Sequence, residues 1–397
     1  MKRREFFTLC SAAGLSLGAG LFGPMARAAD ERTTGPKGKP KDPGLWVTVH
    51  ASGGWDPTAV CDPKGAEGAE AESPVNRFLA KDIKKIGPFK VAPLPRVVAF
   101  FEKYQEQLLV LNGVDTATNG HDSGVRNVWS GKLVEGYPAF AALVAAAGPT
   151  RAMSFLTNGG YDTTAGLVAP TRVGNTDQLL RLAHPNRPDP NDPKSRYHSD
   201  PAATRLNAYR KDRLDRQVDA ATLPRPHAAL ETLATARSGQ AQIAALTEAL
   251  PEKLDDSNNP LIRQGQLAVA AFQAGLATSA NLVIGGFDTH GNHDQDHYPR
   301  LEQLFDGVDA LWSAAQKAGV QDRLTIVIGS DFGRTPWYND GNGKDHWSIT
   351  SLVLLGRGID GNRVIGATDD AFSPLTVDPT TLELDPAGIR ITQEHVH

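Results

Sequence analysis

Six residues able to bind a metal or carry a proton fall between Asp288 and His297: Asp288, His290, His293, Asp294, Asp296 and His297. Neutral imidazole nitrogen and carboxylate oxygen are the usual non-thiolate ligands of divalent ions such as Zn, Mn and Ca. A single His in such a loop reads as a turn or helix cap. Three His and three Asp together predict a divalent metal site, with His290 and His293 as alternative ligands. His297 is expected at the start of the following helix, packed or solvated rather than ligating.

Other groups of the same kind stand at comparable places. Asp56 follows the first apolar run, Asp331 and Arg334 lie in Ser330-Asp-Phe-Gly-Arg-Thr-Pro336, and Asp345 and His346 lie in Gly343-Lys-Asp-His-Trp347. Two divalent ions about 4 Å apart can clamp a phosphoryl or sulfuryl oxygen and activate a nucleophile or water. Arg334 has two readings: a bidentate hold on an anionic substrate oxygen, or a salt bridge to a neighbouring Asp. Lys344, in a Gly/Asn loop, reads as exposed. The loop 115–124, with Thr116, Thr118, His121 and Ser123, reads as turn and capping residues.

The elements that must position these groups follow from apolar periodicity. Leu45–His50, Leu108–Val114, Ala152–Leu156, Asn281–Gly286, Leu324–Gly329 and Ser351–Leu355 read as strands. Helical spacing covers Leu94–Gln107, Tyr137–Ala147, Ile262–Thr278 and Leu301–Lys317. Alternation of this kind predicts a mostly parallel sheet covered on both faces, with active groups at the strand carboxyl ends. Residues 62–76 read as a polar surface excursion. The Pro-rich stretch from Pro185 to Pro226 and the helix after it predict a helical insertion or lid over about 185–260.

Residues 1–28 carry Arg3-Arg4 before two Phe, a mildly apolar run and Ala26-Arg27-Ala28, which together predict a twin-arginine export signal and a periplasmic or secreted protein. A Pro/Gly/Lys tether spans 29–44, and 45–397 reads as one domain. No stretch of the mature chain is apolar for the 18 or more residues of a bilayer span. The two Cys are Cys10 in the signal and Cys61, so the mature chain has neither an internal disulfide nor a thiolate cluster. A net charge of −4 with interspersed signs argues against a nucleic-acid partner.

Gly-Phe-Asp288-Thr-His290-Gly-Asn-His293, Ser-Asp331-Phe-Gly-Arg334-Thr-Pro and Gly-Lys-Asp-His346-Trp, behind such a signal, resemble the DUF1501 family, grouped with the alkaline phosphatase-like phosphatases and sulfatases. The resemblance implies a three-layer α/β/α sandwich. It also implies Asp56, Asp288, a His of the 290–293 pair, Asp331 and His346 as metal ligands, and a small anionic ester as substrate. Asp331 is followed by Phe332 where that superfamily usually has His. Gly120-His121 stands where many relatives carry Ser-His, which leaves Thr116, Thr118 and Ser123 as substitutes for the nucleophile, none singled out by pattern, with His121 beside them. A metal-dependent phosphate or sulfate ester hydrolase is the leading expectation. A non-catalytic exported protein retaining the fold is the alternative.

Overall fold

The computed structural model describes residues 44–397, except 69–71, 173–180, 182–183, 190–191, 193, 239 and 252–253. The expected export signal and nearly all of the tether lie outside the described residues.

Eight strands form the central sheet: β1 (Leu45–Ala51), β2 (Leu108–Asp115), β3 (Phe155–Thr157), β4 (Pro170–Arg172), β5 (Ser279–Ile284), β6 (Leu324–Ser330), β7 (Ile349–Gly356) and β8 (Arg363–Ile365). Their order is β8-β2-β7-β6-β1-β5-β3-β4. Every pair is parallel except those of β7, which runs antiparallel to both β2 and β6. β6 is buried along its whole length, as expected of a strand covered on two faces. Along β1 the pleat sends Leu45, Val47, Val49 and Ala51 into the main apolar core and turns Thr48 and His50 to the other face.

Helices α1 (Pro95–Tyr104), α2 (His121–Ser130), α3 (Phe140–Ala147), α4 (Asp200–Ala220), α5 (Pro224–Ser238), α6 (Gln240–Ala249), α7 (Pro260–Gln273) and α8 (His293–Lys317) complete the domain. α1, α7 and α8 pack together over one face, and α2 and α3 cover the other, making the three-layer α/β/α sandwich. Buried Phe100, Phe305, Leu304, Leu311 and Trp312 fill the first layer; Val128 and Trp129 of α2 serve the second. The region 185–260 carries α4, α5 and α6, which pack in sequence toward α7. Among the described residues no helix is long and apolar enough to cross a membrane.

Because β1 lies between β5 and β6, its carboxyl end sits beside theirs. Asp56, Asp288 and Asp331 follow those three strand ends, so the topology brings three distant carboxylates to one edge. Gly53 is needed there: its φ is +119°, and a Cβ would stand 2.5 Å from the Asp288 nitrogen.

Candidate metal centre

Asp288 is the hub of an accessible cluster. Its Oδ1 lies 3.0 Å from both His290 Nε2 and His346 Nε2, and its Oδ2 lies 3.4 Å from His121 Nε2. His290 Nε2 and His346 Nε2 are 2.9 Å apart. Ligand atoms of His121, Asp288 and His346 all lie within 4.8 Å of one another, the spacing of groups around a single ion. The Asp288 and His290 side chains are each 47% exposed, so solvent and small molecules reach the cluster.

The groups behind each ring decide what it presents. His121 Nδ1 faces Asp331 Oδ2 at 2.7 Å, His290 Nδ1 faces Asp345 Oδ1 at 2.8 Å, and His346 Nδ1 faces the Asn119 carbonyl at 2.7 Å. Carboxylates and carbonyls only accept, so each Nδ1 carries a proton, and in the neutral ring each Nε2 then presents a lone pair. With the rings neutral, three imidazole lone pairs and a carboxylate face one another, and the donor among them is Arg334 Nη2–H, on Asp288 Oδ1 at 2.7 Å. Such a set repels itself unless a cation sits inside it, and acceptors behind the imidazoles are the usual outer shell of a metal site. The residues fit a divalent ion.

Asp331 supports this set from behind. Burial would raise its pKa, but the His50 ring, His121 and the Gly53 N–H hold it at about 2. Gly53 N–H donates to Oδ1 at 3.1 Å, and His50 Nε2 stands 3.1 Å from the same oxygen. Trp129 Nε1–H donates to His50 Nδ1 at 3.1 Å, which fixes Nε2 as the protonated atom facing Asp331. Asp331, expected as a ligand, instead holds His121 in place.

Arg334, expected on the substrate, is fully buried and spends its donors on the protein. Nε donates to Gly54 O at 2.9 Å, Nη1 to Lys344 O at 2.8 Å, and Nη2 to Gly53 O and, at 2.7 Å, to Asp288 Oδ1. Burial raises the pKa of Asp288, but the Arg334 guanidinium beside it outweighs that and keeps the carboxylate ionised, below the usual range.

Asp56 and His293, also expected as ligands, belong to a second and closed cluster. Asp56 N–H donates to His297 Nε2 at 3.0 Å, so His297 carries its proton on Nδ1 and gives it to Thr289 Oγ1 at 2.9 Å. The Thr289 hydroxyl then donates to His293 Nδ1 at 2.8 Å, and His293 Nε2–H returns to Asp56 Oδ2 at 3.1 Å. Every donor has an acceptor, both rings are neutral, and His293 has no lone pair left for a metal. The two rings stack at 4.3 Å, as residues four apart on a helix can. Lys344 is fully buried rather than exposed, and its Nζ lies 2.6 Å from Asp56 Oδ2 and 2.8 Å from Asn76 Oδ1. Burial would raise the pKa of Asp56, but Lys344 and His293 hold it well below the carboxylate range.

Of the hydroxyls, Thr118 accepts from Gly120 N–H and lies 2.6 Å from Ser123 Oγ, which donates to Gly120 O at 3.0 Å. They close the turn that starts α2. From this loop the His121 side chain, at the first position of α2, and the Asn119 carbonyl reach the cluster.

His50, Asn119, Asn76, Thr58 and Thr289 were not singled out in sequence. His50 carried a signal, a polar residue in an apolar strand, whereas Asn76 sat in a stretch that reads as surface.

In solved structures the fold has distant likenesses. The lipoteichoic acid synthase LtaP of Listeria monocytogenes is 9% identical, with 94% of this chain and 81% of that one covered and a TM-score of 0.35. The PsFucS1 sulfatase of Pseudoalteromonas sp. is 10% identical, with 88% and 70% covered and a TM-score of 0.36. The phosphonate monoester hydrolase of Agrobacterium radiobacter is 12% identical, with 83% and 71% covered and a TM-score of 0.29. Among curated proteins none matches the sequence. The family model described as a protein of unknown function, DUF1501, matches residues 45–383, and the chain belongs to that family.

Proposed function

We propose that this chain is an exported, divalent-metal-dependent hydrolase of phosphate or sulfate esters. The observation that carries the proposal is the convergence of the His121, His290 and His346 Nε2 lone pairs on Asp288, each Nδ1 being committed to an acceptor. The cluster is half exposed at the carboxyl edge of the sheet, with the open side that a catalytic rather than a structural ion requires. Resemblance of the flanking motifs to alkaline phosphatase-like enzymes supports the ester class, and Arg3-Arg4 supports export.

His121, Asp288 and His346 would hold the ion with His290 beside them, and the ion would supply Lewis acidity toward an ester oxygen and lower the pKa of a water. The protein's own part is orientation. Asp331, Asp345 and Asn119 O fix the three rings, and Arg334 aims Asp288 and keeps it ionised. Thr118 and Ser123 are occupied with each other and with Gly120, so the arrangement favours water over a side-chain hydroxyl as nucleophile.

The test is metal analysis of the purified mature protein together with a panel of aryl phosphates and aryl sulfates. Wild type is expected to carry metal and to turn over one class; Asp288→Ala and His346→Ala lose both. Metal-replete wild type inert across the panel would leave the non-catalytic reading standing. For export, the Arg3→Lys, Arg4→Lys double variant should accumulate precursor inside the cell, and its normal export would remove that part of the proposal.

A further inference from the structure

Asp56 lies at the same sheet edge as the open cluster, yet its carboxylate already faces a cation. Lys344 Nζ has Asp56 Oδ2 at 2.6 Å, Asn76 Oδ1 at 2.8 Å and Thr58 Oγ1 at 3.4 Å, with His293 Nε2 3.1 Å from the same Asp56 oxygen. A carboxylate, a carboxamide oxygen and a hydroxyl are the oxygen ligands that take a hard divalent ion. We infer that the Lys344 ammonium is a built-in cation standing where a second metal would otherwise bind, so that the centre is mononuclear and the Asp56 pocket is a latent divalent-cation site. This rests on the metal-centre reading only for the first ion.

Three features support the assignment. Asp56, His293 and Lys344 are each 0% exposed, so an ion could enter only by displacing the ammonium. Asp56 Oδ1 is taken by the Thr58 N–H at 2.9 Å and the Thr58 hydroxyl at 2.6 Å, and His293 gives its Nε2 proton to Oδ2, so no ligand lone pair in the pocket is idle. Among the described residues, the group His121, Asp288 and His346 is the one with metal-ligand spacing, and neither Asp56 nor His293 belongs to it. Arg334, seated between Gly53, Gly54, Lys344 and Asp288, joins the two clusters. Two of the three strand-end carboxylates are thus matched by a buried side-chain cation, and only the outer face of Asp288 is left to a mobile one.

The experiment is equilibrium dialysis of the full mature protein with Zn or Mn, read as ions bound per chain, alongside melting temperature with and without Mn. Wild type should bind one ion, Asp56→Asn should still bind one, and Asp288→Ala none. Lys344→Ala should gain one ion, with a Mn-dependent rise of several degrees in melting temperature that wild type lacks at that pocket. Two ions in wild type with one lost in Asp56→Asn would overturn the inference, as would a folded Lys344→Ala that gains none. If Lys344→Ala does not fold, the wild-type and Asp56→Asn stoichiometries decide. If wild type binds no ion, the metal-centre reading fails, and Lys344→Ala alone decides this one.

Discussion

Two clusters of Asp and His sit side by side at one sheet edge, built from nearly the same residue types, and they differ in closure. Around Asp56 every proton runs in a ring through His297, Thr289 and His293, with Lys344 neutralising the charge and nothing exposed. Around Asp288 the outer nitrogens of three imidazoles are tied down and the inner ones face each other in the open. Residue type alone does not separate a structural network from a ligand set. The partner on the far nitrogen of each ring does, because it decides whether the near nitrogen is a donor or a lone pair.

Removing the central carboxylate should separate the clusters most sharply. Asp56→Ala leaves a buried ammonium unpaired, a loss of about 3–5 kcal/mol for pairs of this kind. Asp288→Ala in metal-free protein should cost about 1 kcal/mol or less, because that carboxylate is half exposed and Arg334 keeps its carbonyl acceptors. Chemical denaturation of the two variants with chelator present measures the difference, and equal losses would show that the Asp56 cluster is not the closed one.

Much of this architecture was legible in the sequence. Leu45–His50 and Leu324–Gly329 are mostly apolar runs, and placing Asp56, Asp288 and Asp331 just past three such runs put them at one edge. What the runs do not encode is strand direction: Ser351–Leu355 is as apolar as its neighbours, yet β7 runs against them. The contrast between His290 and His293 turned on one backbone angle. Asn292 is left-handed, with φ +47°, and α8 begins at His293, so His290 stays in the open loop while His293 turns inward to share a helix face with His297. Three residues of spacing do not reveal that turn. Nor does a Gly/Asn setting reveal that Lys344 is buried, since Asn76 and Asp56 reach it from distant segments and the nearby Tyr338 ring covers it.

A smaller effect should come from the groups behind the open rings. Asp345→Ala removes the acceptor on His290 Nδ1 and frees the ring to present the wrong tautomer. Metal affinity should fall about 10–100-fold, the usual cost of losing such a partner. His293→Gln, four positions from Thr289 and inside the closed ring, should leave affinity unchanged. Metal titration of the folded variants checks both. A loss in His293→Gln matching that in Asp345→Ala would merge the two clusters into one site.

The closed ring should also mark the acid side of the stability profile. Burial lowers the pKa of both His293 and His297, and both must stay neutral to keep the ring intact. In the unfolded chain the same rings protonate near pH 6.5. Below that the unfolded state binds more protons, so the contribution is fully present above about pH 6.5 and declines as pH falls toward the depressed folded values. The decline should approach about 1.4 kcal/mol per pH unit for each ring. Denaturation midpoints from pH 7.5 to 5 should show it, and His297→Gln should remove one ring's share of the slope. An unchanged slope in that variant would mean the ring carries a proton in the folded state.

The smallest effects are expected at the hydroxyls. Thr118 and Ser123 face each other at 2.6 Å and bond to the Gly120 N–H and carbonyl, so they shape the turn entering α2 rather than facing Asp288. Replacing either with Ala removes a turn bond worth about 0.5–1.5 kcal/mol. His121 should stay in place, because Asp331 and the helix start hold it independently. Turnover in Thr118→Ala and Ser123→Ala should therefore stay within about threefold of wild type, with metal content unchanged. A side-chain nucleophile would behave otherwise, since losing one member of a covalent pair costs several orders of magnitude in rate. If either variant keeps its metal and its stability yet loses turnover, that hydroxyl is the nucleophile, and the turn seen here must open when substrate binds.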